Sequence, residues 1–179
     1  VMSLMYLSLG SNLNDRHANL QQAIAQLGEH FTITAISPVY ATEPWGDADQ
    51  PPFLNVCVAA ATTTPPHDVL RIVKDIETAM GRQPTRRWGP RLIDIDILFY
   101  DKLVLADKEL TIPHPRMDER AFVLAPLADI IPTFRHPQTG ETVEEMLGRV
   151  DVSGVERLFE MQFPNKARDV ALSQSQASA

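Results

Sequence analysis

The 179-residue sequence predicts an α+β domain, with two helices on one face of a four-stranded, mainly antiparallel sheet. Three observations lead there. Apolar runs and helical stripes alternate in the order β-α-β-β-α-β. The run at 93–99 repeats with period two, as a strand with two different faces does. Two stretches, near 14–27 and 66–80, instead carry apolar residues three and four apart. This order is the split βαβ, ferredoxin-like arrangement, which by itself implies no activity. A hydrophobic fraction of 44% is ordinary for a globular protein, and the length suffices for one real core. Residues 1–163 read as a single domain and 164–179 as a flexible tail.

In chain order, residues 4–9 form the first strand, and Gly10-Ser11-Asn12 breaks it in a simple turn. Neither a Gly-x-Gly-x-x-Gly nor a Walker motif occurs anywhere. Asn14 is placed to cap a helix reaching about Leu27, with Leu20, Ala23, Ile24 and Leu27 buried and Gly28 just past its end. A second strand covers 31–36 and continues through Val39 and Tyr40. The connection 42–52 is long, restricted by Pro44, Pro51 and Pro52, and carries Trp45, which either folds onto the core or serves a site.

The third strand, 53–61, puts Phe53, Asn55 and Cys57 on one face and Val56, Val58 and Ala60 on the other. Asn55 is the one amide in this apolar strand. Once buried it needs hydrogen-bond partners, either in a structural network or on a heteroaromatic edge. Thr64-Pro65-Pro66 opens the second helix, whose buried stripe is Val69, Ile72, Val73, Ile76 and Met80, with Gly81 closing it. The fourth strand is 92–100. A small hairpin from 103–105 and 109–112, a short helix near 120–127 and a capped helix from Thr142 to about Arg149 follow. Residues 155–163 dock as a helix or a strand.

Chemistry concentrates between 82 and 98. Arg82, Arg86, Arg87 and Arg91 punctuate a loop rich in Pro and Gly, and they are four of the 16 Lys+Arg. Asp94 and Asp96 then interrupt an apolar strand in which Ile93, Ile95, Ile97 and Phe99 alternate with them. Residues two apart in a strand share a face, so the carboxylates project together, roughly 6–7 Å apart at Cβ. Such a pair is costly beside apolar surface unless a hard cation joins it. Mg²⁺ is commonly held by one or two carboxylates, with water and substrate phosphate completing its shell. Arginines suit the same phosphates.

The rest of the composition narrows the partners. A net charge of −7 and a pI near 5.1 argue against a general nucleic-acid binder. A local basic site on an acidic chain fits a small phosphorylated ligand better. Cys57 is the single cysteine, set in an apolar run, so no intrachain disulfide forms. Zinc-ligand spacing is absent. Neither a signal peptide nor a run long enough for a membrane helix is visible, so the expectation is a cytoplasmic chain without membrane or nucleic-acid partners. Together these parts suggest phosphoryl-type transfer from a nucleotide, which depends on positioning and charge neutralisation more than on a covalent nucleophile.

The stretch Arg87-Trp88-Gly89-Pro90-Arg91-Leu92-Ile93-Asp94-Ile95-Asp96-Ile97-Leu98 resembles the signature of the hydroxymethyl-dihydropterin pyrophosphokinases of the folate pathway. Leu9-Gly10-Ser11-Asn12, Phe53-Leu54-Asn55, Glu77 with Gly81-Arg82, Thr111-Ile112-Pro113-His114-Pro115 and Arg120-Ala121-Phe122 fall in family order, so the likeness spans about 5–150. The resemblance implies ATP-dependent transfer of a diphosphate to the hydroxymethyl group of a dihydropterin, with AMP released, by a monomer. It implies that Asp94 and Asp96 hold two Mg²⁺ ions and that Arg82 and Arg91 stabilise the transferring group. Glu77, Trp88, Ile97, Thr111, His114 and Arg120 would complete the ATP site. Thr42, Pro44, Trp45, Phe53, Asn55, Asp94 and Phe122 would form the pterin site.

Some positions depart from the family pattern. Phe53 stands where many relatives carry tyrosine, and Lys74, Glu109 and Pro115 differ as well. Arg86 has no counterpart assigned. Two other readings share the same residues. A metal-dependent nucleotidyltransferase would release pyrophosphate, and a ligand-sensing module would have no use for both aspartates.

Overall fold

Side-chain alternation along three adjacent strands sets the architecture. The computed structural model describes residues 1–43, 49–81 and 91–161. Strand β1 (Ser3–Ser11) lies between β4 (Phe53–Thr62) and β5 (Asp94–Tyr100), antiparallel to both. Beyond β4, the sheet continues through β3 (Val39–Thr42) to β8 (Val155–Phe159), while β2 (Thr32–Ile36) also pairs with β4. The sheet is therefore antiparallel, with six strands among the described residues instead of the expected four. Two changes account for the difference. Ser37 and Pro38 divide the expected second strand, and the segment after 155 joins as an edge strand. A separate two-stranded hairpin, β6 (Leu105–Ala106) with β7 (Thr111–Ile112), matches the expected small hairpin.

One face is sealed by two helices, as expected. Helix α1 (Arg16–His30) and helix α2 (Pro66–Ala79) bury Leu20, Ile24, Leu27, Val69, Val73 and Ile76 against Leu7, Leu9, Val56, Val58, Ile95 and Ile97. Each such side chain contributes roughly 1.5–3 kcal/mol by leaving water. The sequence reading assigned no helix to the other face. It is partly covered by α3 (Ala121–Ala128) and α4 (Val143–Leu147), whose Val123, Leu124, Leu127, Val143 and Met146 pack on Tyr6, Cys57, Ala59 and Phe99. These two helices cover the Tyr6–Phe99 end of that face. Among the described residues, no helix covers the end holding Gly10, Asn55 and Asp94.

Local chemistry explains the remaining differences. Asn14 takes a left-handed backbone, φ 58°, so it cannot cap α1. Asp15 does, its side chain accepting from Ala18 N at 3.0 Å. The helix then runs past Gly28 to His30. At the end of α2, Gly81 is left-handed, φ 87°, as a closing glycine should be. Thr142 caps α4 by accepting from Glu145 N. β5 begins at Asp94, not at 92, and pairs Leu7 with Ile97 but Tyr6 with Phe99. That irregularity at Leu98 moves Phe99 off the isoleucine face and onto the α3–α4 side. The expected tail, 164–179, lies outside the described residues.

Candidate active site

The open end of the sheet carries a cavity of about 260 Å³, near the lower end of small-molecule pockets (roughly 300 Å³ upward). Its floor follows from strand register. Tyr40, Asn55, Gly10 and Asp94 face one another across β3, β4, β1 and β5. One step along lie Cys57, Ser8 and Asp96. The period-two reading of β5 thus holds at the site: Asp94 and Asp96 both line the cavity, while Ile95 and Ile97 enter the core behind them.

Of the other sequence-derived candidates, Thr42, Phe53, Asn55, Arg91, Arg120 and Phe122 also line the cavity. Asn55 is buried and donates from Nδ2 to Thr42 Oγ1 at 2.8 Å. The Thr42 bond meets the network alternative for this amide, and the residue also lines the cavity. The Arg120 guanidinium carbon sits 5.6 Å from the centre of the Phe122 ring, within reach of a cation–π contact. The lining carries Arg91, Arg116 and Arg120 together with Glu43, Asp94, Asp96 and Glu119, so it offers partners to an anion and to a cation.

His114 stands beside this wall. Its backbone N donates to Leu98 O at 3.0 Å, covering the outer edge of β5. Its Nδ1 accepts from Arg116 N at 3.2 Å, so the neutral ring keeps its proton on Nε2. Burial holds its pKa below the ordinary histidine range; Asp96 pulls upward, and Arg120 and Arg116 push down.

Three candidates sit elsewhere. Glu77 is buried, with Oε2 accepting from Ile95 N at 3.2 Å and Oε1 paired to Lys74 Nζ at 3.1 Å. It caps the outer edge of β5 and is not among the cavity-lining residues. Ile97 turns its side chain into the core, and Thr111 is exposed on β7. Pro44, Trp45, Arg82 and Trp88, with Arg86, lie outside the described residues.

The cavity also contains residues that the sequence reading passed over: Ser8, Gly10, Glu43, Arg116 and Glu119. Ser8 and Gly10 had been read as a strand end and its turn, whereas β1 runs through both. A Cβ on Gly10 would come within 3.0 Å of Asn55 Oδ1 and 3.5 Å of Phe53 Cδ1. A side chain there would push into the floor. Arg116 and Glu119 are brought in by a single 3₁₀ turn, Met117–Glu119, which no periodicity announces.

Asp94 and Asp96 fit a hard divalent ion: both are oxygen donors on one face, at a cavity edge open to solvent. No group of three or more potential ligand side chains forms among the described residues. A bound ion would therefore draw much of its shell from water and phosphate oxygens, the usual manner for Mg²⁺. No helix among the described residues is long and apolar enough to cross a membrane.

Comparison with known proteins bears on the same residues. The profile of the family described as 7,8-dihydro-6-hydroxymethylpterin-pyrophosphokinase matches residues 6–132. A 2-amino-4-hydroxy-6-hydroxymethyldihydropteridine pyrophosphokinase of Methylorubrum extorquens is 46% identical over 88% of this chain and 99% of its own length. The enzyme of that name from Bacillus subtilis is 45% identical over 72% of this chain and 78% of its own length. The fold resembles the crystal structure of wild-type Plasmodium falciparum HPPK-DHPS with SDX-DHP, at a TM-score of 0.66 and 19% identity over 82% of this chain. This chain spans 43% of that longer protein.

Proposed function

This chain belongs to the 7,8-dihydro-6-hydroxymethylpterin-pyrophosphokinase family and is a transferase of folate biosynthesis, and from that premise we propose how its cavity performs the transfer. The substrates are ATP and 6-hydroxymethyl-7,8-dihydropterin. The hydroxymethyl oxygen attacks the β-phosphorus of ATP, and the bond from that phosphorus to the α–β bridging oxygen breaks. AMP departs, the diphosphate stays on the pterin, and one proton is released to solvent.

Each role follows from position. Asp94 and Asp96 would hold Mg²⁺, two ions in this reading, which when bound supply neutralisation of the triphosphate charge. Asn55, fixed by Thr42, presents its remaining amide atoms to the amino-keto edge of the pterin. Phe53 and Phe122 flank the ring, and Gly10 leaves it room. Arg91 and Arg120 bind phosphate oxygens, and His114 offers its Nε2–H beside them. Pro44, Trp45, Arg82 and Trp88 remain proposed members of the site through family resemblance, as do Glu77, Ile97 and Thr111. The same reading has a single copy of the chain acting in the cytoplasm on two small molecules.

One observation carries the proposal: the register of β5, β1 and β4 brings a carboxylate pair and an amide to one cavity, whose lining also includes Arg91, Arg116 and Arg120. The experiment is product identification after incubation with ATP, Mg²⁺ and the pterin alcohol. AMP that appears only with the alcohol present is expected. Release of pyrophosphate, or no nucleotide product at all, would overturn the reading.

A further inference from the structure

We propose that Asn12 is a positioning residue whose side-chain amide ties Arg91 to Gln50 and Pro51, just before Phe53. The inference rests on the pyrophosphokinase reading for its kinetic consequences. Asn12 is fully buried. Its Oδ1 accepts from Arg91 N at 2.6 Å, and its Nδ2 donates to Gln50 Oε1 at 2.9 Å and to Pro51 O at 3.4 Å. Its own backbone N donates to Arg91 O at 3.0 Å. One amide thus joins the end of β1, the residues just before Phe53 and Arg91, three residues ahead of β5.

An asparagine that merely shapes a turn bonds to its neighbours in sequence. Other residues do so here. Asp15 accepts from Ala18 N, and Asn19 donates to Ser11 Oγ and Leu13 O, fixing the turn that follows β1. The side-chain partners of Asn12 lie 38, 39 and 79 residues away. Its two ends also do different work. The acceptor end sets Arg91, a cavity residue aimed at phosphate. The donor end, helped by Arg16 Nη1 on Pro52 O at 2.7 Å, sets the approach to Phe53, a cavity residue beside the pterin. Misplacing a reacting partner by about 1 Å can cost roughly a hundredfold in rate.

The test compares three variants in steady-state AMP release. Asn12→Ala is expected to lower kcat about a hundredfold and to raise the pterin KM. Gln50→Ala removes one partner of the donor end and leaves Pro51 O and the acceptor end in place, so it should raise the pterin KM about tenfold while leaving kcat nearly unchanged. Asn19→Ala breaks the local turn bonds and should lower the melting temperature without moving either constant. A folded Asn12→Ala protein that behaves kinetically like Asn19→Ala overturns the proposal. So does a Gln50→Ala protein whose pterin KM is unchanged or whose kcat falls in step, and this arm decides if Asn12→Ala does not fold. A wild type that makes no AMP overturns the reaction, not the tie. Amide hydrogen exchange at Arg91 reads the tie without substrate, and rapid exchange there in the wild type overturns it.

Discussion

Strand β5 is served by carboxylates in two settings, and they make opposite uses of the same chemistry. Asp94 and Asp96 leave the strand on its cavity face, half-buried at an opening. Glu77 reaches the strand from α2, buried, and accepts from the backbone N–H of Ile95. The first pair lines the cavity from one face of the strand. The second has a backbone donor and a lysine already in place. A carboxylate buried on a backbone donor stabilises the fold, and one set half-buried in a cavity wall is within reach of a ligand. The contrast also explains how β5 survives as an outer strand. Glu77 covers Ile95 N and His114 N covers Leu98 O, so part of the exposed edge is satisfied.

The sharpest way to break this contrast is to exchange the expected effects. Asp94→Ala and Asp96→Ala should each lower pterin-dependent AMP release by about 10³-fold, while thermal unfolding stays close to wild type. Removing one of two like charges from a shared face costs the apo-protein little. If either variant keeps its turnover, the open pair is not the metal-binding end of the site. If either loses activity only because it unfolds, the two settings do not differ in kind.

A smaller effect, of opposite character, is expected at Glu77. Glu77→Leu leaves the buried Ile95 N–H without its acceptor and should cost roughly 1–3 kcal/mol of stability, read by urea unfolding. Glu77→Gln keeps an oxygen for that N–H and should recover most of the loss. A role in holding ATP predicts something else: a large rise in the ATP KM of Glu77→Gln, out of proportion to its stability. That outcome would move Glu77 from the fold to the ligand.

Much of this contrast was legible in the sequence, and the illegible part has a common cause. Period two placed Asp94 and Asp96 on one face, and helical spacing placed the stripes of α1 and α2. Both are local patterns. Glu77 lies four residues past Val73, on the buried stripe of α2, so its burial was readable even though its partner was not. Gly10 could not be read, because the need for a missing side chain comes from Asn55 on a neighbouring strand. Asn12 looked like turn material since its side-chain partners are 38 or more residues distant. Which sheet face the second pair of helices covers was not legible for a related reason: α3 is apolar nearly all round, so no stripe marked one side. The extra residue at Leu98 likewise left no trace in the alternation, because Leu98 and Phe99 are both apolar.

The smallest effect lies on the α3–α4 side of the sheet and separates the two histidines next to it. His114 borders the cavity, whereas His136 is buried, with its ring against Phe99. His136 Nδ1 accepts from Gln138 N and Thr139 N, at 3.2 and 3.3 Å, which ties down the loop before α4. Burial holds its pKa below the ordinary histidine value, against the upward pull of Asp118 and Glu141. The unfolded chain therefore binds a proton more readily than the folded one. Stability is fully present above the unfolded-state pKa, about 6.5, and declines as pH falls below it until the folded-state group is protonated as well. Melting temperatures measured from pH 7.5 down to 5.5 should fall more steeply in wild type than in His136→Asn. The asparagine oxygen can accept the same backbone N–H groups and takes up no proton. Equal slopes in the two proteins would show that the acid sensitivity of this face lies in its carboxylates and not in His136.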